Sequence, residues 1–467
     1  MTIDLRLNPD EVPLLLDLYE LTMAAAYFKQ GRNDSACFSL WVRRLPKRRG
    51  FLVAAGLERV LEVLEQFHFS QPALDYLDSL HMFGSDFLSW LAGLRFSGEV
   101  WALPEGTIFF GQEPLLELRA PLIEAQLVET LALNQIGLAT LIASKAARVT
   151  AVAGGRRLVE FGLRRTQGAD AGLVAARSSY LAGFAGTSNV LAGLRYGLPL
   201  YGTMAHSFVM VHDHEREAFA RYAEAFPNQT TLLVDTYDVA KGVDNAARVA
   251  LELGRRSIKV NGIRLDSGDL AALSRAARAT LDRRGLKAVS ILASGNLDEY
   301  RVRELAEAKA PIDAFGVGTA IGVSADAPAL DVAYKLVEYG GQARLKTSEG
   351  KMSLPGRKQV FRACDSEGRP VSDLIGLFNE RADQLRGEFR PEPAVVRPLL
   401  EEQMRAGRRL RPAPDLAALR ARFLAELEKL DRRYQDLDRP ASYPVRCSAA
   451  LEALLKRERE SLDRRQD

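Results

Sequence analysis

The sequence predicts an α/β fold with a parallel sheet, and three observations carry that prediction. Between residues 231 and 319, short apolar runs alternate with helical runs of mixed polarity, four times in succession. Each apolar run ends in glycine or in charged and hydroxyl residues. The stretches before and after this region lose the alternation and read as mixed helix and strand. Strand, polar loop and helix in repetition is the pattern of βα units. Their strands lie parallel and their sites gather at the strand carboxyl ends.

Taken in chain order, Leu14, Leu15, Leu18, Leu21 and Ala25 recur at helical spacing, so residues 11–30 read as helix. Residues 37–45 read as a strand, followed by the basic turn Pro46-Lys47-Arg48-Arg49-Gly50, and residues 51–67 read as helix again. Residues 97–120 hold short apolar strands broken at Pro104, Gly106, Gly111 and Pro114, which suggests a small sheet. Residues 122–152 read as one long helix rich in Ala and Leu. With so few charges it must be buried, in a core or a subunit interface. The βα run places strands at 231–235, 258–266, 288–293 and 312–315, with helices at about 240–253, 269–284 and 298–308. Beyond about 336, residues 360–364 read as a short strand, and 398–436 as mostly helical and charged, interrupted by Pro412 and Pro414. The basic runs Arg405 to Arg411 and Lys456 to Arg465 read as solvated helix faces or a frayed tail.

A chain of 467 residues exceeds one ordinary domain. Its net charge of +3 argues against a general nucleic-acid binder. Cys37, Cys364 and Cys447 are too few and too far apart for a disulfide framework or paired metal ligands, and read as buried free thiols in a reducing compartment. Met1 to Asp10 carries charges without an apolar stretch, unlike a signal peptide. No run of ~18 apolar residues stands out as a membrane span. The expectation is a cytoplasmic protein.

The polar strand ends carry the chemistry. His206, in Gly202-Thr203-Met204-Ala205-His206-Ser207, follows the apolar run Leu198 to Tyr201. With hydroxyls on both sides it suits a nucleophile or proton shuttle, or a hydrogen-bonded structural histidine. His206, His212 and His214 lie close together, but His212-Asp213-His214 has no cysteine and no spaced partner ligands, so zinc is not expected. Asp235 ends one strand. Arg264 and Asp266 stand two apart on the next and share a face, as an internal ion pair or as ligand contacts. Ser294-Gly295-Asn296 and Gly316-Val317-Gly318-Thr319 end the following two, with backbone N–H groups suited to phosphate. Upstream, Glu160-Phe161-Gly162-Leu163-Arg164-Arg165 pairs arginines after a glycine, suited to pyrophosphate or carboxylate, or to a plain surface. Together these residues imply a small phosphorylated anion with a divalent metal held through it, without fixing the reaction.

Several blocks resemble nicotinate phosphoribosyltransferase. They are Leu16-Asp17-Leu18-Tyr19-Glu20-Leu21-Thr22-Met23, Phe51 to Leu57, Gly202 to Ser207, Arg264 to Asp269, Gly316 to Thr319 and Leu354 to Arg362. The resemblance runs in order from about residue 12 to about 445. It implies an irregular α/β barrel joined to a second α+β domain formed from N- and C-terminal segments. The expected division is 1–135, 136–335 and 336–467, the outer two making the second domain. It implies a homodimer with shared active sites and, as co-substrates, nicotinate, phosphoribosyl pyrophosphate and ATP, with Mg²⁺. His206 matches the histidine phosphorylated by ATP. Tyr19 and Phe161 match the pair that sandwiches the pyridine ring, Tyr19 coming from the partner subunit. Arg264 and Thr203 match nicotinate contacts. Arg164 matches a substrate contact near ring and pyrophosphate, Asp266 a ribose contact, and Asp235 a neighbouring acid. Gly295, Gly318 and Thr319 match the phosphate cradle.

The implied reaction is attack of the ring nitrogen on the anomeric carbon with pyrophosphate leaving. Asp235 and Asp266 then orient charge and remove no proton. Nicotinamide enzymes that resemble this chain carry aspartate after a Gly-Thr pair; here Gly186-Thr187 is followed by Ser188. Serine can donate to a carboxylate that aspartate would repel, which favours nicotinate over nicotinamide. Quinolinate phosphoribosyltransferase, a silent ligand-binding regulator and an unrelated barrel aldolase are the other readings. Extra cations, loss of His206, Arg264 or Asp266, and a Schiff-base lysine would mark them in turn.

Overall fold

A computed structural model describes residues 9–348 and 352–466. The reading of the first eight residues therefore lies outside the described residues. The chain divides into two compact units, Met1–Ser144 with Ala329–Asp467, and Lys145–Pro328. The cuts fall nine residues after the expected 135/136 and seven before the expected 335/336.

The first unit is built on a seven-stranded sheet. Its order is Gln342–Ala343, Val332–Tyr339, Ser35–Val42, Pro114–Pro121, Glu99–Ala102, Glu401–Arg405, Arg408–Arg409. Ser35–Val42 is central and buried at every position after Ser35, as a strand covered on both faces must be. It pairs antiparallel with Val332–Tyr339, Leu40 opposite Tyr334, and Phe38 stacks on Tyr334 at 4.8 Å. A four-stranded sheet runs Val395–Pro398, Lys358–Cys364, Pro370–Leu377, Val445–Cys447. At its centre Arg362 and Asp373, both buried, pair at 2.7 Å.

The structure corrects several local expectations in this unit. Residues 51–67 begin with the strand Leu52–Val53, and the helix Leu57–Gln66 starts only after Gly56, whose φ of 92° breaks the run. The stretch 398–436 is not mostly helical. Its first part forms the strands Glu401–Arg405 and Arg408–Arg409, and only Leu416–Lys429 and Arg432–Gln435 are helix. The basic run there is a hairpin whose Arg409 pairs with Glu58 at 2.6 Å. A charged hairpin at a sheet edge hides its two-residue period among solvent-facing side chains. Cys447 is a free thiol that is only partly buried, unlike Cys37 and Cys364.

The long apolar helix is two, Leu122–Gln126 and Glu129–Val152. By length and composition the 31 residues Leu122–Val152 do qualify as a span, contrary to expectation, but 72% of the qualifying window is buried inside the protein. A core helix carries the same hydropathy as a membrane one when protein surrounds it.

The second unit is a curled sheet of six parallel strands. Its order is Gly186–Thr187, Arg157–Glu160, Ala314–Val317, Ser290–Ala293, Val260–Leu265, Thr230–Leu233. The βα repeat appears as expected, with helices Val239–Gly254, Leu270–Arg283 and Glu299–Glu307 between its strands. Each starts at an aspartate, Asp238, Asp269 and Asp298, whose side chain accepts backbone N–H groups of the first turn. This capping satisfies groups that helix starts leave open and fixes where each loop ends. The α/β class with a second unit is as expected; the parallel sheet curls as a half-barrel and stays open, with Gly186–Thr187 and Thr230–Leu233 at its edges.

Candidate active site

Most of the residues singled out from the sequence lie at one rim of the parallel sheet. Arg264 is on the Val260–Leu265 strand, opposite Leu292 of the next. Asp266 follows one residue past the strand end, so both side chains face the same way. The Arg264 guanidinium reaches Asp266 Oδ1 at 2.6 Å, donates to Thr203 Oγ1 at 3.0 Å and to Ser294 Oγ at 2.7 Å. Ser294 in turn donates to Asp266 Oδ1 at 2.5 Å. Burial pushes the Asp266 pKa up, but the Ser294 hydroxyl and the Arg264 guanidinium outweigh it, with His206 adding, and hold the carboxyl below its ordinary range. Asp266 is thus an ionised group, fit to accept hydrogen bonds rather than to pass a proton.

Asp235, past the neighbouring strand, accepts the Asp266 N–H at 3.0 Å and the Ser267 hydroxyl at 2.7 Å through Oδ2. Its Oδ1 is buried without a protein partner. His206 opens the short helix His206–Met210 instead of ending a strand; the run Leu198 to Tyr201 contributes only an isolated bridge between Leu200 and Thr187. The His206 Nδ1 lies 3.2 Å from Thr236 Oγ1, which leaves Nε2 as the free ring nitrogen. His212 Nδ1 is bonded to Phe208 O at 2.8 Å, and among the described residues no three His, Cys, Asp or Glu converge as a metal cage.

Phe161 sits just past the Arg157–Glu160 strand, with the Arg264 guanidinium 5.6 Å from its ring centroid. Gly316 is glycine because a Cβ there would lie 2.4 Å from the Phe161 ring. Gly295 is required more strictly: its φ is +91° and a Cβ would fall 1.8 Å from Asp266 O. The loop it begins does not open the next helix directly, since Asp298 caps that helix three residues on. Gly318 precedes the one-turn helix Thr319–Gly322, and Arg164 is exposed in the turn Leu163–Arg165. Ser188, partly exposed, follows the edge strand Gly186–Thr187. Tyr19 belongs to the other unit, near the start of helix Leu18–Lys29, and is 45% exposed. There its phenol faces Glu129, and burial and that carboxylate push its pKa up.

Neither Ser294 nor Thr236 was given a role of its own from the sequence. Ser294 stands beside Gly295 in a loop already singled out, and a hydroxyl next to that glycine was the available signal. Thr236 follows Asp235 with the same kind of signal.

Fold and rim are those of α/β enzymes, which gather their sites at strand carboxyl ends. Family models match along almost the whole chain, the nicotinate phosphoribosyltransferase (NAPRTase) N-terminal domain at 14–137, the NAPRTase family at 156–351 and the C-terminal domain at 357–455. The chain belongs to the nicotinate phosphoribosyltransferase family. It is 50% identical over 446 residues to a Mycobacterium tuberculosis H37Rv protein named nicotinate phosphoribosyltransferase pncB2, covering 95% of this chain and 93% of that one. A human nicotinate phosphoribosyltransferase is 37% identical over 515 residues, covering 95% and 96%. The crystal structure of human nicotinic acid phosphoribosyltransferase superposes with a TM-score of 0.83 at 34% identity, covering 94% of this chain and 99% of that one.

Proposed function

We propose that this chain transfers the 5-phosphoribosyl group from phosphoribosyl pyrophosphate to nicotinate, giving nicotinate mononucleotide and pyrophosphate for NAD biosynthesis. The observation that carries the reading is Arg264, held by Thr203, Ser294 and Asp266 against the Phe161 ring. A guanidinium beside an aromatic face suits an aromatic carboxylate. The neighbouring Ser188 supports nicotinate over nicotinamide, since a hydroxyl donates to the carboxylate.

In this reading the ring nitrogen attacks the anomeric carbon while pyrophosphate departs, and positive charge spreads to the ribose ring oxygen. Asp266 accepts from a ribose hydroxyl, with Asp235 behind it. Arg164 and the Gly295, Gly318 and Thr319 loops take the phosphates. No protein cage exists among the described residues, so Asp235, with Oδ1 unpartnered, is the residue that would help hold a Mg²⁺ brought in with phosphoribosyl pyrophosphate, and the ion would supply charge to offset the leaving group. ATP phosphorylates His206 at its free Nε2, adding roughly −1.5 to −2 charges, and hydrolysis of that phosphohistidine drives the cycle. This is the ATP-dependent, ligase-class form of the reaction.

The working unit is a homodimer in which Tyr19 of one copy closes the ring site of the other. Val190, Leu191 and Leu194, on the helix two residues past Ser188, are 70%, 44% and 83% exposed, and Leu18 beside Tyr19 is 51% exposed. Apolar side chains clustered in water mark an interface. Three free thiols fit the reducing cytoplasm.

The test is mononucleotide formation from nicotinate and phosphoribosyl pyrophosphate with Mg²⁺, with and without ATP, for the wild type and His206→Ala. Product that rises with ATP only in the wild type supports the transfer to nicotinate and its ATP coupling through His206. Product from nicotinamide alone overturns the substrate, and no product from either pyridine overturns the activity.

A further inference from the structure

We propose that Glu160 is a positioning residue of the pyridine site, its two carboxylate oxygens tying the Phe161 wall to the Ser188 wall. The inference rests on the activity proposed above and assigns a task to a side chain that the reaction itself does not use.

Glu160 ends the Arg157–Glu160 strand and is wholly buried. Oε2 accepts the Thr187 hydroxyl at 2.6 Å, and Oε1 accepts the Gly162 N–H. Its own carbonyl accepts the Ser188 N–H at 3.0 Å. On one side, then, the carboxylate holds the turn that carries Phe161, whose N–H is bonded to Val317 O at 2.9 Å. On the other it holds the Thr187–Ser188 edge. That edge continues outward: Thr187 Oγ1 accepts the Asn189 N–H at 3.0 Å, and Asn189 Oδ1 caps the helix Val190–Tyr196 at the Ala192 N–H.

A buried carboxyl is costly, and burial pushes the Glu160 pKa up against the pull of Thr187 and Gly162. An apolar side chain would fill the same space without that cost. What a carboxylate adds is two acceptors in one rigid plane, aimed at donors on different loops. Glutamine offers one acceptor and turns an N–H₂ against the other donor. Removing the acceptor altogether leaves the Thr187 hydroxyl and the Gly162 amide as buried, unpaired donors. Either change frees the ring face carried by Phe161 from the edge that reads the carboxylate. The Gly162 side of the carboxylate also supports the turn that carries Arg164 and lies against Gly318, whereas the Thr187 side holds only the Thr187–Ser188 edge, so the loss of the Thr187 bond falls on the pyridine.

The experiment compares wild type, Glu160→Gln, Thr187→Val and Thr187→Ser for KM toward nicotinate, KM toward phosphoribosyl pyrophosphate, kcat, relative use of nicotinamide, and Tm. Glu160→Gln and Thr187→Val are expected to raise the nicotinate KM by roughly ten- to a hundredfold, the scale of a lost hydrogen bond to a buried charge. In Thr187→Val the phosphoribosyl pyrophosphate KM stays within a few-fold, and in both variants the preference for nicotinate narrows. Thr187→Ser, which keeps the hydroxyl, retains the wild-type nicotinate KM. Thr187→Val is isosteric, so it decides the matter if Glu160→Gln does not fold. An unchanged nicotinate KM in folded Thr187→Val, or both KM values rising together in that variant, overturns the proposal while leaving the activity intact. A wild type that makes no mononucleotide overturns the activity and this inference with it.

Discussion

Arg264 and Asp266, two residues apart at the end of one strand, meet at 2.6 Å, and Ser294 from the neighbouring strand end bonds to both. The cation is therefore fixed from three sides, with only part of its donor fork left for a ligand. Lysine carries the charge but cannot reach Thr203, Ser294 and Asp266 together. Arg264→Lys is expected to lower kcat/KM for nicotinate by roughly ten- to a hundredfold with little change in Tm, measured by steady-state kinetics and thermal melts.

Thr236 holds His206 through Nδ1. Thr236→Val removes that anchor and lets the ring rotate or change tautomer. The ATP stimulation of mononucleotide formation is expected to fall by about fivefold, the scale of one neutral hydrogen bond, and the ATP-independent rate by less. Labelling with γ-³²P ATP reads the same loss directly as reduced phosphohistidine.

On the proposed reading of Ser188, Ser188→Asp sets a carboxylate against that of nicotinate. Two like charges at ~4 Å cost a few kcal/mol near a protein surface. Nicotinate efficiency is expected to drop at least about tenfold while nicotinamide efficiency holds or rises, which a side-by-side rate comparison checks. Equal losses for both pyridines would remove Ser188 from the specificity argument.

Glu20 is wholly buried beside Thr130, with Oε2 unpartnered, and burial, opposed by Thr130 and reinforced by Glu129, raises its pKa to about 7. The folded state holds this proton more tightly than the unfolded chain. Its contribution to stability is therefore complete below pH 4.5 and is lost as pH rises through about 7. Glu20→Gln lacks the ionisation, so its Tm relative to wild type should climb across that window. A Tm difference independent of pH would show that Glu20 does not titrate there.

Leu194, at 83% exposure, is the most exposed of the three apolar side chains Val190, Leu191 and Leu194 on the helix Val190–Tyr196. Leu194→Glu should weaken self-association and lower activity at low protein concentration. Sedimentation velocity and a dilution series of rates check the pair of effects.

The parallel unit was legible because its strands are short apolar runs separated by whole helices, and each run ends in residues that no core would keep. Arg264, Asp266 and Asp235 stood out for that reason. Gly186–Thr187 and Leu52–Val53 did not, since two residues carry no period. The hairpin Glu401–Arg409 was hidden because its charges face water at a sheet edge. Ser294 and Glu160 were hidden in a different way. Ser294 acts on partners 30 and 28 positions away, and Glu160 on one 27 positions away. Only the closure of the sheet makes such residues neighbours.

The central strand Ser35–Val42 pairs with Val332–Tyr339, so one of its edges belongs to a segment made about three hundred residues later. During synthesis the whole of Lys145–Pro328 emerges in between. A nascent chain therefore carries an apolar strand with one ladder unfilled for most of its translation, a template for mispairing with another chain. The inserted unit has all six of its strands in hand before that partner exists. The order of emergence thus makes the late-arriving segment the one whose docking ends the exposure.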